Sequence, residues 1–139
     1  MKLSTLCNVS ALALSAMVVT AQADPKGLWL AQDGAKVRVT NCGGGVCAII
    51  ASPKSEIDPS TGAPWTDKNN PDPGKRGRPL TGVEVFAMAP DGPGKWSGSL
   101  YNADNGQTYP GHIVEVDPNT IRVEGCAGIC GGQNMRRIQ

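Results

Sequence analysis

Residues 36–40 read Lys-Val-Arg-Val-Thr, polar and apolar in strict alternation. An alternation of period two puts one side-chain set on each face of an extended strand, and it suits no helix. The pattern recurs through the chain. Residues 83–88 (Val-Glu-Val-Phe-Ala-Met) and 120–124 (Thr-Ile-Arg-Val-Glu) alternate, and residues 95–101 place Trp96, Gly98 and Leu100 on one face. Between these runs stand turn signals: Asp33-Gly34, Gly43-Gly44-Gly45, Asp91-Gly92-Pro93-Gly94, Asp104-Asn105-Gly106 and Asp117-Pro118-Asn119. Short alternating runs punctuated this way read as antiparallel strands joined by hairpins. Eighteen glycines and 11 prolines fit that reading, and no long amphipathic stretch or internal repeat competes with it. The expectation is an all-β chain, a small antiparallel up-and-down barrel of seven or eight strands. Pro110-Gly111, inside the run 107–116, predicts a bulge or an edge there.

Residues 1–23 read differently. Lys2 precedes a largely apolar run, and Ala21-Gln22-Ala23 has the small-x-small form of a cleavage site. The run is shorter than the ~20 apolar residues of a membrane span and carries polar breaks. The expectation is a secretory signal cleaved near Ala23, leaving one domain over residues 24–139, periplasmic or secreted and not membrane-spanning. Loss of Lys2 leaves twelve charges of each sign. A neutral chain has no basic excess for a nucleic-acid groove.

Removing the signal also removes Cys7 and leaves Cys42, Cys47, Cys126 and Cys130. An even number suits an oxidising compartment. Three pairings can form. The local one, Cys42 with Cys47 and Cys126 with Cys130, is expected because the glycines after Cys42 let two strand ends turn and meet. Each short loop would contribute about 2 kcal/mol by chain entropy. A four-cysteine zinc site would need spacings closer to C-x2-C than the C-x4-C and C-x3-C present here.

Residues 52–81 break the rhythm. They hold six prolines, three glycines and nine charges with little periodicity. A loop of that length inside a compact domain is usually functional or disordered. Asp67, Asn70 and Arg78 gather in it, and Arg78 offers a fork for a carboxylate or phosphate. Tyr101 and Tyr109 flank the nearby hairpin. These five are the candidate ligand-binding residues; loop structure and cross-strand packing are the competing explanation. The single histidine, His112, leaves no His cluster for a metal and no partner for a nucleophile. Acid–base use of Asp67 or Asp104 would need a second carboxylate across a cleft. No cofactor, metal or catalytic residue is assigned. The 25 Val, Ile, Leu, Met, Phe and Trp residues after residue 23 are few for both a core and a pocket, so a narrow or shallow pocket is expected.

Several motifs occur together: Gly27-x-Trp29; Cys42 with Cys47; Asp67-x-x-Asn70-Pro71-Asp72-Pro73; Arg78-Pro79-Leu80-x-Gly82; Trp96-x-Gly98-x-Leu100-Tyr101; Asn105-Gly106-x-Thr108-Tyr109; and Gly125-Cys126 through Cys130-Gly131-Gly132-Gln133 to Arg137. In this order they resemble the exported bacterial family named domain of unknown function 2147, over nearly all of residues 24–139. Met135 stands where that pattern has an aromatic. Gly27-x-Trp29 with a late Arg137 also resembles lipocalin-like barrels. That resemblance implies structural roles for Trp29 and Arg137, the arginine packing over the indole to close one barrel end. The expectation is an exported or periplasmic barrel, not an enzyme, that binds a small or lipid-like ligand at one end. The alternative is an envelope interaction or stress protein that contacts a protein or glycan through residues 52–81.

Overall fold

The computed structural model describes residues 12–17 and 23–139. The expected signal segment lies outside the described residues apart from 12–17 and Ala23. Among the described residues, no helix is long and apolar enough to cross a membrane.

Eight strands close an antiparallel barrel: β1 (Gly27–Leu30), β2 (Lys36–Cys42), β3 (Gly45–Ser52), β6 (Glu84–Pro90), β7 (Lys95–Asn102), β8 (Gln107–Asp117), β9 (Thr120–Ala127) and β10 (Ile129–Arg137). Each pairs with its chain neighbour in the barrel, and β1 pairs with β10 through Trp29–Arg137 and Leu30–Arg136. The remaining two strands, β4 (Ile57–Asp58) and β5 (Ala63–Pro64), form a small ribbon of their own in the long loop. Closure leaves the barrel no open edge, which is how a short all-β chain avoids strand-to-strand aggregation.

The alternation read from sequence is the alternation of burial. Val37 and Val39 point inward while Lys36, Arg38 and Thr40 face solvent. β8 runs unbroken through Pro110 and Gly111, which pair with Ser99 and Gly98. The expected bulge is displaced: the register between β8 and β9 shifts between Glu115 and Asp117. Pro110 fits because pairing with β9 begins only at Gly111.

The two ends differ. At one, Trp29 is fully buried and joins Val39, Val46, Met88, Trp96, Ile113 and Ile121 in the core. The Arg137 guanidinium lies 4.3 Å from the centre of the Trp29 ring. It donates to the carbonyls of Pro118 (3.0 Å), Asp24 (2.7 Å) and Lys26. Trp29 Nε1 donates to the Pro25 carbonyl at 2.9 Å. A Cβ at Gly27 would stand 2.7 Å from Arg137 Nη1 and 2.5 Å from the Gln139 carbonyl, so the first glycine of Gly27-x-Trp29 makes room for the clamp. At this end the arginine lies over the buried indole.

At the other end lie the β1–β2 turn, the 53–83 segment, the β7–β8 turn and the β9–β10 turn at Gly128. The disulfides are the two local ones: Cys42–Cys47 joins β2 to β3, and Cys126–Cys130 joins β9 to β10.

Candidate binding cavity

The long loop is more ordered than its composition suggests. Besides the β4–β5 ribbon it has a 3₁₀ turn at Pro73–Lys75, capped by Asp72, and a bridge between Thr66 and Pro79. Its centre is Asp67, fully buried and surrounded by donors. Tyr101 Oη donates to Asp67 Oδ1 at 2.5 Å. Asn70 Nδ2 donates to Oδ2 at 2.8 Å, and Arg78 donates to the same oxygen through Nε at 3.0 Å and Nη2 at 2.8 Å. Burial alone would raise the Asp67 pKa. The bonds from Tyr101, Asn70 and Arg78 outweigh it and hold the carboxyl below its usual value. Burial, and then the bond to Asp67, pushes the Tyr101 phenol up to about 12.

The loop is tied to the barrel beyond this network. Asn69 Nδ2 donates to the carbonyl of Asp104 at 2.9 Å. Gly106, at φ +72°, comes so close to the Asn69 carbonyl that an added Cβ would stand 1.7 Å from that oxygen. A second cluster orders the ribbon. Lys68 Nζ lies 2.6 Å from Asp58 Oδ2 and 2.8 Å from Ser60 Oγ. The hydrogen bond from Lys68 lowers the Asp58 pKa to about 2. Two arginines of the loop are held by it: Arg78 is paired with Asp67, and Arg76 Nε donates to the Asn70 carbonyl at 2.7 Å.

Beneath the loop the barrel holds a cavity of about 470 Å³. Its floor and walls are Val37, Ile50, Phe86, Leu100, Val123 and Met135. Its mouth carries Asp33, Lys54, Trp65, Tyr101, Asp104 and Tyr109. The volume falls within the ~300–1,000 Å³ typical of small-molecule sites. The pocket is therefore larger than the apolar count predicted. The inward positions near the mouth are small, with Ala31, Ala35, Gly125, Ala127 and Gly131 where a filled barrel would have bulk.

Of the five candidate ligand residues, Asp67, Asn70, Arg78 and Tyr101 meet in one network, and Tyr109 stands apart. Only Tyr101 and Tyr109 line the cavity; Asp67, Asn70 and Arg78 lie behind it. Tyr109 Oη donates to Gln107 Oε1 at 2.9 Å and accepts from Asn105 Nδ2 at 2.8 Å. Lining residues that sequence reading missed include Trp65, whose ring lies 4.9 Å from Lys54 Nζ and 5.3 Å from Lys68 Nζ, and Gln133. The inward alternation Gln133, Gly131, Ile129 along β10 was the available signal.

No curated protein matches the chain in sequence. Among solved structures, protein HP1028 from the human pathogen Helicobacter pylori, which belongs to the lipocalin family, is similar: 19% identity, 85% of each chain covered, TM-score 0.71. At that identity the likeness shows a shared fold, a lipocalin-like barrel. The family model for an uncharacterized protein conserved in bacteria (DUF2147) matches residues 27–137, and the chain belongs to that family.

Proposed function

We propose that this protein is an exported, non-enzymatic carrier or sensor. It takes one small, largely apolar molecule with a polar head into the open end of its barrel. The observation that carries the reading is the apolar cavity of about 470 Å³ inside a barrel whose opposite end is sealed by Trp29 and Arg137. Two local disulfides are compatible with export. Tyr101 and Tyr109 would touch the ligand. Asp67, Asn70 and Arg78 would hold the loop at the mouth. Acid–base chemistry is disfavoured because Asp67 accepts four hydrogen bonds and does not reach the cavity.

Gly131 provides the test. It lines the cavity, its φ is ordinary, and a Cβ there meets nothing within 4 Å. Gly131→Trp should therefore fold and obstruct the mouth. Native mass spectrometry of protein exported and purified without refolding should show an adduct of small-molecule mass, and Gly131→Trp should lack it. An environment-sensitive apolar dye should bind the delipidated wild type and bind the variant at least tenfold more weakly. Equal dye binding by both proteins, with no adduct on either, would refute the reading.

A further inference from the structure

Strands β8, β9 and β10 gather ligand-bearing side chains on the outer wall of the barrel, away from the cavity. Gly125 and Ala127 line the cavity, so alternation turns Cys126, between them, outward. Cys130 is its direct partner across the hairpin. On β8, His112 is the register partner of Glu124. A ring nitrogen of His112 and the two sulfurs all lie within 4.8 Å of one another. His112 is the only histidine of the chain, and it stands beside this disulfide.

Glu124 makes the arrangement directional. Its Oε2 lies 3.0 Å from His112 Nε2, and its other oxygen accepts from Arg122 Nε. A carboxylate accepting from Nε2–H selects that tautomer and leaves Nδ1 with a free lone pair. Metal-bound histidines are commonly oriented by such a carboxylate.

We propose that reduction of the Cys126–Cys130 disulfide creates a binding site for a Zn²⁺-class divalent ion, with Cys126, Cys130 and His112 as ligands and Glu124 orienting the imidazole. The reduction is a thiol–disulfide exchange. A dithiol reductant gives two electrons and two protons to the disulfide and itself becomes a disulfide, and metal binding then releases both thiol protons to water. A tetrahedral zinc with bonds of about 2.0–2.3 Å sets its ligand atoms roughly 3.5–4 Å apart. The imidazole nitrogen starts within 4.8 Å of both sulfurs, so the site needs a small approach of the ring and a separation of the two sulfurs. Disulfide and metal would be alternative staples for the base of the tip whose Ala127 and Ile129 line the cavity mouth.

The test uses a Cys42→Ser/Cys47→Ser variant, so that only the second cysteine pair is redox-active. The protein is reduced with a phosphine, freed of reductant without oxygen, and titrated with Co²⁺ and then Zn²⁺. The reduced form should take up one Co²⁺ per chain, with thiolate-to-cobalt absorption and intense tetrahedral ligand-field bands that Zn²⁺ abolishes. The oxidised form should show neither. His112→Asn should weaken binding at least tenfold, and Glu124→Gln should weaken it about 10–100-fold. If the starting variant folds poorly, fully reduced wild type is compared with Cys126→Ser/Cys130→Ser, and only the former should give the bands. The proposal is overturned by no uptake in the reduced form or by His112→Asn binding unchanged. It is also overturned if the reduced chain loses its β-sheet circular dichroism and Zn²⁺ does not restore it.

Discussion

Replacing Asp67 by alanine tests whether the long loop is built on one carboxylate. The change strands three partners. Tyr101 Oη loses its acceptor in a half-buried setting, and buried Asn70 Nδ2 keeps only its 3.4 Å contact to Tyr101 Oη; a donor left without a good acceptor costs ~1–3 kcal/mol. Arg78 has a side chain 40% exposed, can turn to water, and adds little. The expected loss is about 3 kcal/mol, a large share of the ~5–15 kcal/mol that holds a domain together. Asp67→Asn should cost about 1–2 kcal/mol, although it conserves shape. Its carbonyl can keep the bonds from Asn70 and Arg78 and its NH₂ can donate to the Tyr101 oxygen, but the charge that strengthened those bonds is gone and the Tyr101 hydroxyl hydrogen loses its acceptor. Tyr101→Phe removes one charged-acceptor bond and should cost roughly 1.5–3 kcal/mol. Urea unfolding gives the global values. Amide hydrogen exchange at Asn70 and Leu80, whose N–H groups bond to the Asp67 and Trp65 carbonyls, reports the loop. If the loop detaches before the barrel opens, those amides lose protection while the core amides of Ile113 and Ile121 keep theirs. An Asp67→Asn protein with wild-type stability and loop exchange would refute the claim that the charge organises the segment.

Arg137→Met should cost about 1–3 kcal/mol: a cation–π contact is worth ~0.5–2 kcal/mol, and the exposed hydrogen bonds add the rest. A shift in urea midpoint without a change in slope would establish it. Gly106→Ala forces a left-handed φ on a Cβ that also meets the Asn69 carbonyl, so it should cost about 2–3 kcal/mol and raise loop exchange. For acid, the sign follows from lowered folded-state values. Asp58 falls from 3.8 to about 2, so its stabilisation is complete above about pH 4 and disappears as pH drops towards 2; Asp67 acts in the same direction. Melting temperatures measured from pH 6 to 2 should fall across that window, and less steeply in Asp58→Asn.

Much of this fold is written in single residues. Val37 and Val39 between Lys36, Arg38 and Thr40 declare which face is core, and Asp33-Gly34 and Asp104-Asn105-Gly106 declare where the chain reverses. The two disulfides could be read for the same reason: each joins residues on adjacent strands a few positions apart. The long loop could not be read this way. The partners of Asp67 lie at positions 70, 78 and 101, and no periodicity links a loop aspartate to a tyrosine on β7. The pocket estimate failed for a different reason. The radius of a closed barrel follows from strand number and tilt, not from the supply of large side chains. Few bulky residues at fixed radius leave space, and Gly125, Ala127 and Gly131 are where that space lies. Trp65 was hidden because it enters from the loop, outside any strand pattern.

The donor direction at Tyr101 also limits what can occupy that space. Its only hydroxyl hydrogen goes to Asp67, so towards the cavity the phenol oxygen can only accept. The Tyr109 hydroxyl hydrogen is likewise given to Gln107. Asp33 and Asp104 add acceptors at the mouth, against Lys54 as the one cation among the lining residues. A head group rich in donors is therefore matched there, whereas a carboxylate head would face mostly acceptors and lose its hydration without replacement. Among decylamine, decanol and decanoate, each displacing the same apolar dye, the amine should bind best and the carboxylate worst. Their separation should be at least tenfold, or about 1.4 kcal/mol. Lys54→Ala should widen the gap, because it removes the one cation with which the carboxylate can pair. Tyr101→Phe should narrow the amine's advantage by removing an acceptor. If decanoate binds best and Lys54→Ala abolishes that preference, Lys54 selects the head group and the acceptor-lined mouth does not.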